Sequence, residues 1–274
     1  MAGTLYLVAT PIGNLEDITY RALRTMREAN IVAAEDTRVT RKLLSHFEIG
    51  THLVSYHEHS GPVATEALVR RMRDENQSVA LVTDAGTPGI SDPGAELVRA
   101  AIAAGIVVCP IPGAAAPIAA LIGSGLPTAR FLFEGFLPRT RSTRVAKLKA
   151  LAAEVRTVIC FEAPPRLVET LGEIGDAFGA DRRVCVAREL TKIHEEFRRG
   201  TAVEVAAHYT ATPPRGECVI VVEGRDENED AGVLNETVAE GKGWKELIKL
   251  LAKEAGIDRK ELYAAIVKLK ADRE

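Results

Sequence analysis

Short runs of apolar and β-branched residues alternate along the chain with segments whose apolar residues recur at helical spacing. The runs predict strands over 4–9, 31–34, 52–56, 79–83, 107–111, 131–136, 157–161, 183–187 and 218–223. The segments between them predict helices over 18–28, 39–47, 62–75, 95–104, 114–123, 142–153 and 165–178. Strands separated by helices of this length favour parallel pairing through crossover connections, which predicts an α/β fold.

The spacing of the strands changes after residues 124–130, where Gly and Pro interrupt the pattern. Beyond that point, 183–190 and 195–201 are separated by only a short turn, which favours an antiparallel hairpin. We therefore predict two α/β domains, 1–125 and 126–225, the second with a mixed sheet.

The last segment, 226–274, has a different composition. It begins with an acidic stretch typical of a linker and continues with two helical patterns. Gly256 is placed to end the first helix and Asp258 to cap the second, with Glu261 completing a capping box. We predict a small helical, helix–turn–helix-like appendage, which either contacts nucleic acid or packs on the body or on a second subunit.

The composition excludes several classes of protein. The 274 residues are 46% hydrophobic and 27% charged, as in ordinary globular proteins, so a disordered or fibrous chain is excluded. With 35 basic and 38 acidic residues the net charge is −3, which excludes nucleic-acid binding by bulk charge alone but leaves local basic patches open. No apolar run approaches the roughly 18 residues that span a bilayer, and the chain opens directly on a strand, so we expect neither a membrane partner nor a signal peptide.

The four cysteines each lie inside an apolar run and share no short ligand spacing. We therefore expect buried thiols in a reducing cytoplasm, and no metal site.

Three loops follow predicted strands and combine Gly, Pro and small side chains. They are TPIGNL from Thr10, DAGTPGISDPG from Asp84 and PIPGAAAP from Pro110. None is a dinucleotide or P-loop fingerprint, and the first or third alone could be an ordinary strand–helix connection. In the second, we expect Asp92 to cap the helix that begins near Pro93, whereas Asp84 sits at the carboxyl end of a strand, where α/β folds bind ligands. Together the loops predict a cleft at one sheet edge.

The sequence resembles a known family. The segments TPIGNLEDITYRAL, AAEDTRVTRKLL, LVTDAGTPGISDPG, PIPGAAAPIAAL, CFEAPPRL, VARELTKIHEE and RGECVIVVEG are similar to the successive motifs of ribosomal RNA small subunit methyltransferase I. The resemblance covers nearly the whole chain. It implies a tetrapyrrole-methylase-like fold rather than a Rossmann fold, a homodimer, and S-adenosylmethionine in the cleft between two domains. It also implies 2′-O-methylation of a decoding-centre cytidine in 16S ribosomal RNA or the small subunit.

The resemblance also assigns cofactor-binding residues, motif by motif. They are Ile12, Gly13, Asp84, Ala85, Gly86, Ile90, Ser91, Ala115, Ala116, Phe161, Glu162 and Ala163.

A ribose hydroxyl is a poor nucleophile and benefits from a general base. We hypothesise that Glu35 or Lys192 is that base. Glu35 could instead cap the helix after it, and Lys192 could form a surface ion pair with Glu189; as a base, Lys192 would need a lowered pKa.

RNA contact requires local positive charge. The candidates are Arg38, Arg139, Arg141, Arg144, Lys147 and Arg188, of which those in 139–149 have no acidic neighbour in that segment. The alternative is a solvated helix face. Two other functions stay open: a tetrapyrrole methylase of the same superfamily, and a non-catalytic nucleic-acid-binding protein.

Overall fold

A computed structural model of the chain describes residues 3–226, 248, 251–252, 256 and 258–264. The strands are β1 (Thr4–Val8), β2 (Ile31–Ala34), β3 (His52–Ser55), β4 (Val79–Val82), β5 (Val107–Ile111), β6 (Phe131–Phe136), β7 (Thr157–Glu162), β8 (Arg183–Arg188), β9 (Glu196–Thr201) and β10 (Cys218–Val222). The helices are α1 (Tyr20–Glu28), α2 (Thr37–His46), α3 (Gly61–Asp74), α4 (Ala95–Ala103), α5 (Ala116–Ser124), α6 (Arg141–Leu151), α7 (Pro164–Phe178) and α8 (Ala202–Ala211).

The first sheet is wholly parallel, with strand order β3-β2-β4-β1-β5. Its central strands β2 and β4 are buried at every residue, as their continuous apolar sequences predict. One face packs against α3 and α4 around Met72 and Leu97, and the other against α1 and α2 around Met26 and Leu44. Because all five strands run the same way, the loops after them emerge at one edge.

The second sheet is mixed, with order β6-β7-β10-β8-β9. Only β6 and β7 are parallel, and β8 and β9 form the predicted antiparallel hairpin, with Arg183 opposite Thr201. One face is covered by α6, α7 and α8. On the other face, α5 packs through Ala120 and Leu121 against Ile159 and Val221. The helix that follows the last strand of the first sheet thus packs on the second sheet.

Residues up to Gly224 form one compact unit, and residues from Arg225 onward form another. The division into 1–125 and 126–225 therefore stays a prediction. Most of the predicted linker and helical appendage lies outside the described residues. Within the described part, a helical segment does begin after Asp258, whose carboxylate accepts a hydrogen bond from the Lys260 backbone N–H at 2.8 Å.

The cysteines are unpaired; Cys160, Cys185 and Cys218 are buried, and Cys109 is half-buried. No helix in the described part of the chain is both long and apolar enough to cross a bilayer.

Candidate functional site

The loops after β1, β4 and β5 are joined to one another at the carboxyl edge of the first sheet. The backbones of Thr10 and Gly86 exchange two hydrogen bonds, of 2.9 and 3.1 Å, as an isolated antiparallel bridge. The Thr87 hydroxyl donates to the Ala114 carbonyl at 3.2 Å. Gly86 adopts a φ of +87°, a left-handed conformation that a side chain would strain. These contacts hold the three loops as one wall.

This wall faces a cavity of about 450 Å³ whose opposite side comes from the second sheet. The first sheet contributes Ile12, Glu35, Asp84–Thr87, Ile90–Asp92 and Ala115–Pro117, and the second contributes Phe136, Phe161–Pro164 and Gly216–Val219. The rings of Phe136 and Phe161 lie 5.2 Å apart, centroid to centroid. A volume of this size is typical of small-molecule sites.

The structure brings together every residue that the resemblance assigned to cofactor binding, except Gly13. Gly13 lies in an adjoining cavity, where a Cβ would stand 2.6 Å from Cγ of Lys192, so only glycine fits this approach. Phe136 and the segment Gly216–Val219 also line the main cavity, and sequence reasoning missed them. Their strands are recognisable from sequence, but which strand ends face the first sheet depends on how the two sheets pack.

Three carboxylates, Glu35, Asp84 and Asp92, face the main cavity. Asp84 accepts a hydrogen bond at Oδ1 from the Asp36 backbone N–H, at 3.0 Å. Burial and the charge of Asp84 raise the pKa of Glu35. Burial and the charge of Glu35 raise the pKa of Asp92 to about 6. Three acids without a basic partner in the same wall suit a ligand that carries positive charge.

The expectation that Asp92 caps the following helix is wrong. Helix α4 begins at Ala95 with Gly94 as its N-cap, and no side chain caps it. Two residues earlier, Asp92 instead lines the cavity beside Glu35. At the end of β2, the capping role belongs to Asp36, which accepts from the Arg38 backbone N–H at 2.8 Å and leaves Glu35 facing the cavity.

Glu162 is fully buried, and both of its oxygens are already engaged. One accepts from the Ala163 backbone N–H at 2.7 Å and pairs with Arg166 at 2.5 Å, and the other accepts from the Thr170 hydroxyl at 2.7 Å. These contacts fix the start of α7. Glu162 therefore shapes the cavity wall by holding the backbone of Ala163.

The structure argues against Lys192 as a base. Its Nζ donates to Glu189 at 2.8 Å and to Glu217 at 3.0 Å. Partial burial alone would lower the pKa of Lys192, but these two carboxylates outweigh it and the pKa is raised. Lys192 is therefore a cation near neutral pH, and the lowered pKa that base catalysis requires is not present.

The predicted RNA-binding residues divide into exposed and engaged side chains. Arg144 is only 1% exposed and binds Glu173 through two hydrogen bonds, of 2.6 and 2.9 Å, so its prediction as an RNA contact is wrong. Lys147 pairs with Glu134, and Arg188 with Glu196.

The exposed members of the set are Arg38, Arg139 and Arg141. Arg38 pairs with Asp36 at 2.6 Å, and Arg141 contacts the α7 acids that also hold Arg144. The acidic partners missing from 139–149 thus come from β6 and α7, which spacing within the segment could not reveal. Among the described residues, no group of three His, Cys, Asp or Glu side chains is arranged to hold a metal ion.

Comparison with known proteins agrees with this architecture. Residues 4–206 match the family of tetrapyrrole (corrin/porphyrin) methylases. A protein of Synechocystis sp. named ribosomal RNA small subunit methyltransferase I is 47% identical, over 98% of this chain and 99% of its own. Its namesake in Bacillus subtilis is 43% identical, over 96% of this chain and 94% of its own.

Solved structures share the fold at lower identity. Cobalt precorrin-4 methyltransferase, a cobalamin biosynthetic enzyme, superposes with a TM-score of 0.60 at 20% identity, covering 80% of this chain and 94% of its own. Uroporphyrin-III C-methyltransferase from Thermus thermophilus, in complex with S-adenosylhomocysteine, gives 0.55 at 22% identity, over 81% and 97%.

Proposed function

The chain belongs to the ribosomal RNA small subunit methyltransferase I family, within the tetrapyrrole methylases, and from this premise we propose that it uses S-adenosylmethionine to methylate a ribose 2′-hydroxyl of small-subunit ribosomal RNA. The acceptor we propose is a cytidine of the decoding centre. The observation that carries the proposal is the 450 Å³ cavity, in which the loops after parallel strands meet the phenylalanines of the second sheet.

The cavity suits S-adenosylmethionine in size, shape and charge. Ala115 and Ala116 leave the wall shallow where α5 begins, so that a flat adenine ring can approach the backbone. The carboxylates of Glu35, Asp84 and Asp92 complement a sulfonium and an ammonium group. When bound, the cofactor supplies an electrophilic methyl carbon on a sulfonium.

Glu35 is the base we propose. Its carboxylate is part of the cavity wall, and its raised pKa brings it closer to neutral pH than an ordinary glutamate. In this scheme a Glu35 oxygen would accept the proton of the 2′-hydroxyl as the oxygen–methyl bond forms and the methyl–sulfur bond of the donor breaks, so that the sulfur leaves as a neutral thioether. The charges of Asp84 and Asp36 contribute to the raised pKa of Glu35. Positioning of the two reactants supplies most of the remaining acceleration.

RNA would contact the exposed arginines outside the cavity. Arg38, Arg139 and Arg141 are available to phosphates, although Arg38 and Arg141 first have to exchange their carboxylate partners. Because the chain is acidic overall, such contacts must be local, which suits a folded RNA or an assembled subunit. Because the proposed substrate is ribosomal, we propose that the protein acts in the cytoplasm. We also propose a homodimer, because the resemblance implies one.

The experiment that tests this function is methyl transfer to small ribosomal subunits that lack the modification. The purified protein is incubated with labelled S-adenosylmethionine and with subunits, free 16S ribosomal RNA or uroporphyrinogen III, and the RNA product is mapped by nuclease digestion and mass spectrometry. We expect one 2′-O-methylcytidine in the decoding centre, and a much slower rate for Glu35→Gln, by roughly 100-fold or more. Label on a base or on the tetrapyrrole, or no transfer to any RNA, would contradict the proposal.

A further inference from the structure

A second cavity, of about 550 Å³, adjoins the first at the same edge of the parallel sheet. It lies between helix α2, the turn after β1 and the segment that carries Lys192. We propose that this second cavity is a nucleoside pocket, which receives a single pyrimidine nucleotide extruded from the RNA so that its ribose faces the methyl donor. The proposal rests on the function proposed above and adds where the acceptor sits.

The two cavities share part of their walls. Ile12, Asp84, Ala85 and Glu217 line both of them. A group held in the second cavity therefore lies directly next to a group held in the first. In-line transfer requires this adjacency, because the reacting atoms must stand about 3–3.5 Å apart.

One face of α2 borders the cavity. Val39, Lys42, Leu43 and His46 follow the i, i+3, i+4, i+7 spacing of a single helix face, and all four line the cavity. Val39 is 41% exposed, whereas Leu43 is partly buried and also packs against the core beside Leu44. An exposed valine with a lysine and a histidine on the same face suits the face of a base together with a phosphate.

A polar side chain at the end of a strand of the first sheet could hydrogen-bond the base of the bound nucleotide. The Thr83 side chain is at the end of β4, is 1% exposed and lines the cavity. Its hydroxyl is near enough to the Asp92 carboxyl to oppose the rise of that pKa, but it makes no hydrogen bond of normal geometry among the residues that the structure describes. A buried hydroxyl without a well-aligned partner is costly, and a base edge entering the cavity would supply one.

An extruded nucleotide also explains why a protein with few aromatic residues can act on RNA. Enzymes that modify a nucleotide within a structured nucleic acid take it out of the stack into a fitted pocket. Such a pocket needs room for one base, not an extended stacking platform. The aliphatic side chains of Leu15, Val39 and Leu43 supply the walls of this room.

The test fills the second cavity and leaves the first unchanged. Val39→Trp places an indole in the nucleoside pocket, and Val63→Trp adds the same side chain on α3 at a residue that is 81% exposed and lines neither cavity. Initial rates on small subunits lacking the modification and the Kd for S-adenosylmethionine are measured for wild type and both variants. We expect Val39→Trp to lower kcat/KM for subunits by about 100-fold or more with an unchanged Kd, and Val63→Trp to match wild type.

Thr83→Val removes the hydroxyl at nearly constant volume. We expect it to lower kcat/KM for subunits by about 10-fold, with an unchanged Kd for S-adenosylmethionine at pH 8, where Asp92 is ionised. Near-wild-type rates for both Val39→Trp and Thr83→Val would overturn the nucleoside pocket while the proposed function stands. If Val39→Trp also fails to bind S-adenosylmethionine, the kcat/KM of Thr83→Val alone tests the nucleoside pocket. A wild-type protein that does not methylate subunits would instead overturn the proposed function itself.

Discussion

At the scale of single residues, the three acids of the cavity have different environments. Asp84 is exposed and held by a backbone N–H, whereas burial and mutual repulsion raise the pKa of Glu35 and Asp92. Folding does not benefit from placing repelling carboxylates together, so their presence indicates a ligand site. A bound cation would lower the pKa of Asp92 again, so binding of S-adenosylmethionine should release protons near pH 6.

The raised pKa of Asp92 makes the stability of the protein depend on pH. Its folded pKa of about 6 exceeds the ordinary 3.8, so protonation favours the folded state: this contribution is full below pH 4 and is lost as the pH rises through 6. The shift corresponds to about 3 kcal/mol, which partial exposure reduces to about 1–2 kcal/mol. We expect Asp92→Asn to match wild type near pH 4 and to unfold at higher urea concentration at pH 7. A stability difference that does not change between pH 4 and pH 7 would contradict the assignment.

The sequence alone predicts the positions of some site residues and misassigns others. The motif loops bring Asp84, Ala115 and Ala116 to one cavity, because the turns after successive parallel strands emerge at one sheet edge. They misassign Asp92, since a position two residues before the N-cap looks the same in sequence as the cap itself. The basic segment 139–149 misassigns Arg144 as an RNA contact, because its partners Glu169 and Glu173 lie on another helix.

At the scale of elements, the hydrophobic pattern predicts most strands and helices, including the β8–β9 hairpin and the mixed second sheet. It misses α8, whose alternating Ala and Val residues give a weak helical period, although Thr201 and Glu204 form a capping box there. It also gives no sign that α5 packs on the second sheet. That packing brings the loop after β5 to face β7 and β10, so it helps to close the cavity.

The contact between α6 and α7 depends on a buried ion pair. Arg144 and Glu173 are both buried, so removing Arg144 leaves the buried Glu173 carboxylate with a longer, 3.3 Å contact to the exposed Arg141. We expect Arg144→Ala to lower the free energy of unfolding by about 3–5 kcal/mol. Arg141→Ala on the same helix, where the side chain is 74% exposed, should cost only about 0–1 kcal/mol. Urea denaturation of both variants measures this difference. Equal losses of unfolding free energy would mean that the buried ion pair of Arg144 does not stabilise the contact between α6 and α7.

At the scale of the whole molecule, the parallel sheet brings its functional loops to one edge, and the second sheet covers them. The result is two adjoining cavities with a shared wall, which we propose for a methyl donor and for its acceptor. The net charge of −3 leaves RNA attraction to local arginines, so the rate on subunits should fall steeply with salt while cofactor binding should not.

The most direct test of the central claim is calorimetric titration of S-adenosylmethionine into wild type and Ala115→Trp. Because Ala115 is part of the wall of the 450 Å³ cavity, an indole there should fill the space of the ligand. We predict one cofactor per chain for wild type and for Val63→Trp, and no measurable heat for a folded Ala115→Trp. Undiminished binding by Ala115→Trp, or no binding by wild type, would show that this cavity is not the methyl-donor site.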